Sequence, residues 1–249
     1  MTITKPNENR PTEHTEYTEN KTGEHGGSPL LHHSSFIMHH SKLPGITQDY
    51  FFKKKVIIFQ NKKGYRFSVD APILADFLPS LPGEEALEIG TGSGIISLLA
   101  LYKNKFAKIT GVEIQESLFQ LALLNAEKNK FSQRFQPVYG DFNRNYRDFT
   151  GVKTIFANPP FLETGKGRLS PTEEIRDAKM ETRLTLNDLL IKSRAILHES
   201  GSVYLILPYY RYNDLITRSR KTGFFPRLIR EVFSFKDGKP ERFLVQLTT

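Results

Sequence analysis

The sequence predicts an α/β fold built on one doubly wound, mostly parallel sheet, and two observations support this prediction. Five strand-like apolar segments between residues 86 and 207 alternate with segments whose apolar residues follow the helical spacing. The later segments 228–235 and 242–248 also have strand character, and the Asp237-Gly238 dipeptide between them is typical of a hairpin turn. Together these segments predict a seven-stranded sheet in which one strand is antiparallel.

The first predicted βαβ unit contains a glycine-rich turn between the strand 86–90 and the helix 95–101. The acid and the glycines of this turn are Glu88, Gly90, Gly92 and Gly94. Their spacing differs from the dinucleotide fingerprint G-x-G-x-x-G, and it lets the backbone pass close to a ligand that carries no pyrophosphate. A tight strand-to-helix turn without a ligand would also explain the glycines.

An acidic residue, Glu113, ends the next predicted strand, 108–113, and lies 23 residues after Gly90. This is close to the spacing at which an acid binds ribose hydroxyls in nucleotide-binding α/β proteins. A helix-capping role would explain Glu113 taken singly. The acid and the glycine turn in one βαβ unit together favour a cofactor site.

Two more candidates follow the third predicted strand, 136–139. Asp141 can accept a hydrogen bond from an adenine amino group, and Phe142 can pack against the face of the same base. A turn acid after Gly140 is the alternative interpretation of Asp141, and the sequence leaves both open.

The fourth predicted strand ends in Asn158-Pro159-Pro160-Phe161, which is the main candidate for the reaction site. Prolines cannot donate to a ladder, so Asn158 lies at the carboxyl end of the strand, where ligands bind in open α/β sheets. The side-chain oxygen of Asn158 and the carbonyl of Pro159 can each accept one N–H of a planar amine, and Phe161 can stack on the attached ring. This arrangement suits methylation of an amino nitrogen. A rigid turn with a structural Asn is the alternative.

The segment before the glycine turn predicts a hairpin and a helix. Residues 51–60 have strand character, Asn61–Gly64 supplies the turn, and residues 65–67 form the return arm. Asp70, two residues before a proline, predicts the N-cap of a helix that ends at Phe77.

Three later segments carry predictions of their own. The polar residues 162–180 predict a long loop over the strand ends, where lids occur. The segment 184–197 predicts a helix that Gly201 stops. The run Tyr209–Tyr212 mixes aromatic and basic side chains after the fifth strand, as surfaces that bind single-stranded nucleic acid do.

Charge and composition separate an N-terminal tail from the rest of the chain. Residues 1–47 are polar, with four Lys or Arg against five Asp or Glu, and we expect a disordered tail. Residues 48–249 are expected to form one domain, with 31 Lys or Arg against 22 Asp or Glu. The positive excess of the domain predicts a polyanionic partner such as nucleic acid.

Other features of the 249 residues argue against several classes of protein. The chain has no Cys, and six of its seven His lie in the tail, so no metal site is expected. No apolar run is long enough to span a membrane and no secretory pattern is present, which predicts a cytoplasmic protein without a membrane partner. We expect a monomer.

These motifs resemble those of class I S-adenosylmethionine-dependent methyltransferases, over residues 50–249. The segment 65–75 is similar to the leader of the bacterial tRNA adenine-N6 methyltransferases, which modify adenine 37 of a valine tRNA. The resemblance implies a Rossmann-like fold, S-adenosyl-L-methionine as cofactor and tRNA as partner. It also implies that Glu113 binds the cofactor ribose, Asp141 the cofactor adenine and Asn158 the target amine.

One residue departs from that family, and three alternative functions stay open. Phe161 stands where many members carry Tyr, which preserves stacking but removes a phenolic hydroxyl. Guanine-N2 rRNA and glutamine-N5 protein methyltransferases share the Asn-Pro-Pro-aromatic motif. The latter usually have a helical N-terminal domain, for which residues 1–85 are short and polar. An RNA-binding module without catalysis would keep the fold and the charge.

Overall fold

A central sheet and a separate two-stranded hairpin form the strand framework of the protein. The computed structural model describes residues 45–62, 66, 68–159, 184–235 and 238–249, all within the unit Lys42–Thr249. The strands in these residues are β1 (Ile46–Phe51), β2 (Val56–Asn61), β3 (Leu81–Ile89), β4 (Phe106–Glu113), β5 (Phe135–Tyr139), β6 (Val152–Ala157), β7 (Leu197–Pro208), β8 (Phe225–Val232) and β9 (Arg242–Thr248). The α-helices are α1 (Asp70–Phe77), α2 (Ile95–Tyr102), α3 (Glu116–Lys128), α4 (Phe142–Asn145), α5 (Leu186–Ile196) and α6 (Tyr212–Lys221).

The central sheet has the strand order β5-β4-β3-β6-β7-β9-β8. β9 is antiparallel to both β7 and β8, and the other pairs are parallel, so the predicted seven-stranded sheet is confirmed. From β3 the chain continues to β4 and β5 on one side, and it then returns to β6 on the other side. The order therefore reverses between β3 and β6, which is the topological switch point of the sheet.

Helices cover both faces of this sheet. α1, α2 and α3 pack on one face, and α5 and α6 pack on the other. In β6, Phe156 faces the first layer while Ile155 and Ala157 face the second, as the two-residue period of a strand requires. Both faces of β6 are therefore buried, which explains its continuous apolar sequence.

The N-terminal hairpin has its turn at a different place from the predicted one. β1 and β2 pair antiparallel, with Phe51 opposite Val56, so the turn covers residues 52–55. Phe52, Lys53 and Lys54 have positive φ angles, which no strand residue adopts. The predicted strand 51–60 is therefore right for residues 56–60 and wrong for residues 52–55, where three adjacent lysines stay solvated in a turn. Asn61 of the predicted turn 61–64 belongs to β2, and residues 63 and 64 lie outside the described residues. Most of the predicted return arm lies outside the described residues.

Helix α1 has the predicted bounds but not the predicted cap. Val69 occupies the N-cap position, and its side chain makes no capping hydrogen bond. Asp70 is the first helical residue, and its carboxylate accepts from Nε of Arg242 at 3.3 Å. Asp70 therefore ties α1 to the start of β9 instead of capping the helix.

One glycine that the sequence assigned to the end of a helix belongs to a strand. Gly201 lies inside β7, because α5 ends at Ile196 and β7 begins directly at Leu197. A Cβ atom at Gly201 would lie 2.6 Å from Cγ of Leu197, so this glycine permits a tight bend in the strand.

Several predictions fall on residues that are not described. They concern residues 1–44 of the predicted tail and the predicted loop 162–180. β1 begins at Ile46, two residues before the predicted start of the folded domain. In the described part of the chain, no helix is long and apolar enough to cross a membrane.

Candidate active site

Four strand ends bring the candidate residues to one edge of the sheet. Ile89, the last residue of β3, lies opposite Val112 of β4 and opposite Ala157 of β6. The candidates at this edge are Gly90 after β3, Glu113 at the end of β4, Asp141 beyond β5 and Asn158 after β6. Since neighbouring strands are about 4.8 Å apart, the four ends span about 14 Å. They include the switch point, where ligands bind in open α/β sheets.

The three glycines of the turn adopt a conformation that favours glycine, with φ of +71° at Gly90, +58° at Gly92 and +83° at Gly94. Their surroundings differ. A Cβ atom at Gly94 would lie 2.4 Å from Cε1 of Phe135, whereas a Cβ atom at Gly90 would have no neighbour within 4 Å. Gly94 therefore permits close packing against β5, and Gly90 leaves space for a ligand beside the backbone.

Glu88 is a buried acid directly before the turn. The hydroxyl of Thr91 donates to its Oε2 atom at 2.6 Å, and the hydroxyl of Ser97 donates to the same oxygen. Its Oε1 atom is buried and has no hydrogen-bond partner among the described residues. Burial raises the pKa of Glu88 to about 8, against the effect of these two hydrogen bonds. The carboxyl group therefore has one oxygen, Oε1, that is free to hydrogen-bond with a polar group of a ligand.

Glu113 connects the glycine turn to the end of β4. The N–H of Gly92 donates to its Oε2 atom and the N–H of Gln115 donates to its Oε1 atom, both at 2.8 Å. Burial raises the pKa of Glu113, and the two backbone donors oppose that shift. Each carboxylate oxygen has a further lone pair, so Glu113 can also accept from the hydroxyls of a ligand.

Asp141 and Phe142 lie at the start of the short helix α4. The N–H of Asn143 donates to Oδ1 of Asp141 at 2.9 Å, which makes Asp141 the N-cap. Nε of Arg144 lies 3.6 Å from Oδ2 of Asp141. Phe142 is 4% exposed and packs in the core under α5. These contacts account for the turn interpretation of Asp141, and a role toward adenine stays a prediction for both residues.

Asn158 and Pro159 leave the sheet at the switch point. Ala157 before them is fully buried, and both Asn158 and Pro159 are partly exposed. The side-chain amide of Asn158 and the carbonyl of Pro159 are therefore at the edge that also carries the glycine turn. Pro160 and Phe161 lie outside the described residues.

Sequence reasoning missed Asn125, a fully buried residue of α3. Its Nδ2 atom donates to the carbonyl oxygens of Ser93 in the glycine turn (2.8 Å) and Phe59 in β2 (2.9 Å). Its Oδ1 atom accepts from the N–H of Phe59 at 2.7 Å. Asn125 therefore holds the turn against the hairpin. A polar residue on the apolar side of a predicted helix was the available signal.

Asn129, one helical turn later, holds the same strand without contacting the glycine turn. The N–H of Ile57 donates to its Oδ1 atom at 2.8 Å, and its Nδ2 atom donates to the carbonyl of Ile57 at 2.6 Å. Two side-chain amides thus replace a neighbouring strand along β2.

The aromatic and basic run after β7 is mostly packed. The rings of Tyr209 and Tyr212 stack with centroids 5.6 Å apart, and the hydroxyl of Tyr209 donates to Glu231 at 2.9 Å. Arg211 is 7% exposed and pairs with Asp214 at 2.9 Å. Arg211 is therefore packed and not part of an exposed surface, whereas Tyr210 is 49% exposed, and a role of this run in binding nucleic acid stays a prediction.

The site suits a ligand with an amino group and vicinal hydroxyls but no pyrophosphate. Glu88 offers a buried carboxyl oxygen without a hydrogen-bond partner, Glu113 offers lone pairs for hydroxyls, and Gly90 offers open space at the switch point. S-adenosylmethionine has this combination of groups. The fold and this site define a class I S-adenosylmethionine-dependent methyltransferase.

The chain belongs to the family described as "Methyltransferase small domain", whose model matches residues 65–209. A tRNA1(Val) (adenine(37)-N6)-methyltransferase of Parabacteroides distasonis is 28% identical over 206 residues, which cover 82% of this chain and 85% of the relative. An enzyme of the same name from Mannheimia succiniciproducens is 29% identical over 220 residues, covering 85% of this chain and 84% of the relative.

Solved structures share the fold. TYW2 of P. horikoshii in complex with MeSAdo is similar with a TM-score of 0.54 and 15% identity, covering 82% of this chain and 70% of that one. The ribosomal protein L11 methylase of Lactobacillus delbrueckii subsp. bulgaricus has a TM-score of 0.53 and 16% identity, covering 75% and 80%. At these identities the likeness establishes the fold alone.

Proposed function

We propose that this protein methylates the exocyclic N6 of an adenine in tRNA, adenine 37 of tRNA1(Val), in the cytoplasm. The observation that carries the proposal is the position of Asn158 and Pro159 at the switch point, beside the glycine turn that suits the cofactor. The names of the relatives support the choice of nucleic acid and base. The positive charge of residues 48–249 also supports an RNA substrate.

The cofactor would be held at the neighbouring strand ends. We assign to it Glu88, Gly90, Gly92, Gly94, Glu113, Asp141 and Phe142. The open space at Gly90 admits the ligand, and the lone pairs of Glu113 accept from ribose hydroxyls. When bound, S-adenosylmethionine supplies a methyl group that its positively charged sulfur has already activated for transfer.

The residues after β6 would hold the amine in the productive orientation. Asn158 accepts one N–H of the adenine amino group and the carbonyl of Pro159 accepts the other, while Pro160 stiffens the segment and Phe161 stacks on the base. The nitrogen lone pair would form the new N–C bond as the bond between the methyl carbon and the sulfur breaks, which would leave the neutral thioether S-adenosylhomocysteine. The nitrogen would then release a proton to water. Both acceptors gain strength as positive charge develops on nitrogen, so catalysis is positioning and electrostatic stabilisation without a strong base.

A methyl-transfer assay tests the proposal. We expect label from S-adenosylmethionine to enter a tRNA1(Val) transcript and to be absent from the same transcript with guanine at position 37. Label in rRNA or in a release factor in place of tRNA would point to the guanine-N2 or glutamine-N5 activity. Cofactor binding without any transfer would favour an RNA-binding module.

Within that assay, Asn158→Ala separates the clamp from a structural turn. We expect the single-turnover rate to fall roughly 10²–10³-fold, by analogy with removal of one preorganised hydrogen-bonding group. Cofactor affinity, measured by calorimetry, should stay at the parent value, because Asn158 is not assigned to the cofactor. A variant that turns over at the parent rate would make Asn158 only a turn residue.

A further inference from the structure

The outer strand of the sheet, β8, carries a concentration of unpaired positive charge. Residues 209–249 contain nine Lys or Arg against four Asp or Glu. The exposed cations along β8 and at the end of α6, which leads into it, are Arg220, Lys221, Arg227 and Arg230. Among the described residues none of these four forms an ion pair, whereas Arg218 and Arg242 pair with Asp214 and Asp70.

Exposed aromatic rings continue this surface at the other end of β8. Phe233 is 45% exposed, and Phe235 is 78% exposed, the highest value among the large hydrophobic side chains of the described residues. Aromatic rings that remain in water at a strand end are available for stacking. We call the four cations and these two rings the β8 edge.

Strand directions place the aromatic end of the β8 edge on the same side of the sheet as Asn158. β8 is antiparallel to β9, which is antiparallel to β7, so β8 runs in the direction of β6. Val232 lies opposite Arg242, which lies opposite Pro208 at the carboxyl end of β7. β6 and β8 are three strand spacings apart, or about 14 Å.

We propose that the β8 edge binds the RNA outside the target nucleotide, with the cations on phosphates and the rings on bases. This inference rests on the proposed function, because it concerns where the same substrate lies. RNA is the occupant that the charge favours, since a second copy of the chain would bring eight like charges together against the two copies of Glu231, the only acid of β8. The two rings lie at the end of β8 nearer the reaction site, and the cations lie farther from it, along β8 and at the end of α6.

The salt dependence of RNA binding distinguishes phosphate contacts from general damage. The double variant Arg227→Gln/Arg230→Gln should bind a tRNA1(Val) transcript more weakly, and the slope of log K against log salt should fall by about 2, roughly 1 per lost phosphate contact. The control Lys108→Gln/Lys130→Gln removes two cations at the amino edge of the opposite side of the sheet. That control should keep the parent slope.

A second variant tests the rings. Phe235→Ala should weaken RNA binding about fivefold or more without changing the salt slope, because stacking releases no counterions. Cofactor affinity should equal that of the parent in all these variants. Parent slope and affinity in both β8 variants would overturn the inference.

Other outcomes are also decisive. If the parent methylates tRNA but the β8 variants bind it normally, the inference fails and the proposed function stands. If the parent binds RNA through the β8 edge but transfers no methyl group, the inference stands and the proposed function fails. Sedimentation that shows a dimer dispersed by Arg227→Gln/Arg230→Gln, with unchanged RNA affinity, would assign the surface to a second copy of the chain.

Discussion

The glycine turn and the β8 edge treat charge in opposite ways. Glu88 and Glu113 are almost fully buried, and each accepts two hydrogen bonds from the turn or its neighbours. The four cations of the β8 edge are exposed and make no ion pair with described residues. A small ligand is recognised by a few fixed, desolvated groups, whereas a large polyanion is attracted by exposed charges that salt screens.

This comparison explains the direction of the pKa shifts. Removal of water from Glu88 and Glu113 disfavours their charged forms and raises both pKa values. No such cost applies to a solvated cation on β8. Variants of the buried acids at the turn should therefore change the pH dependence of stability and of cofactor affinity. Variants on β8 should change only the salt-dependent affinity for RNA.

The largest expected effect concerns the pH dependence of stability. Burial raises the pKa of Glu88 from 4.5 to about 8, so the folded protein keeps a proton that the unfolded chain releases above pH 4.5. The free energy of unfolding therefore falls as the pH rises from 4.5 toward about 8, by on the order of a few kcal/mol. Glu88→Gln cannot titrate and should lack this part of the slope.

Urea unfolding of both proteins between pH 5 and pH 8 measures this difference. Glu113 remains in both and contributes the same sign, so the difference between the two slopes belongs to Glu88. Equal slopes would mean that Glu88 is not protonated in the folded protein, and the contrast between the two regions would lose its physical basis.

The next largest effect concerns Gly90, and it distinguishes loss of cofactor affinity by filling open space from loss by backbone strain. Gly90→Ala should weaken S-adenosylmethionine binding at least about tenfold, since a Cβ atom there enters space that no described residue fills. Gly151→Ala is the matched control, because Gly151 has φ of +80° and an equally open Cβ position at the opposite edge of the sheet. Both variants should lose similar stability, about 1–2 kcal/mol for left-handed alanine.

Calorimetry with the cofactor and thermal unfolding of both variants give the answer. Parent affinity in Gly90→Ala would remove the first glycine from the cofactor site. An equal loss of affinity in Gly151→Ala would show that strain alone lowers binding.

The smallest effect tests whether the hairpin supports the cofactor turn. Asn125→Ala and Asn129→Ala each remove side-chain hydrogen bonds to β2, but only Asn125 donates to the carbonyl of Ser93. Both should lower the free energy of unfolding. Only Asn125→Ala should weaken cofactor binding, by on the order of 0.5–2 kcal/mol, as for a residue that acts through another contact. Affinities that fall equally would make Asn125 a structural residue alone.

Part of the architecture was predictable because its signals are local. Gly90 follows the end of a strand, Gly94 precedes the start of a helix, and Pro159 follows a buried strand. These residues therefore mark in the sequence the strand ends that carry the candidate site. Where a glycine could either end a helix or lie in a strand, tertiary packing determined which of the two it does. Gly201 lies in a strand and not after a helix, because its lack of a side chain accommodates Leu197.

The sequence by itself determined the strand and helix types, the sheet with one antiparallel strand, and the residues that the strand ends bring forward. These follow from apolar periodicity and from the backbone limits of Gly and Pro, which act over a few residues. Only the tertiary structure decided that Asn125 joins the turn to a strand 66 residues away, that Tyr209 and Arg211 are packed, and that the β8 edge is exposed. Burial and hydrogen-bond partners depend on which distant elements become neighbours, and no local pattern encodes that choice.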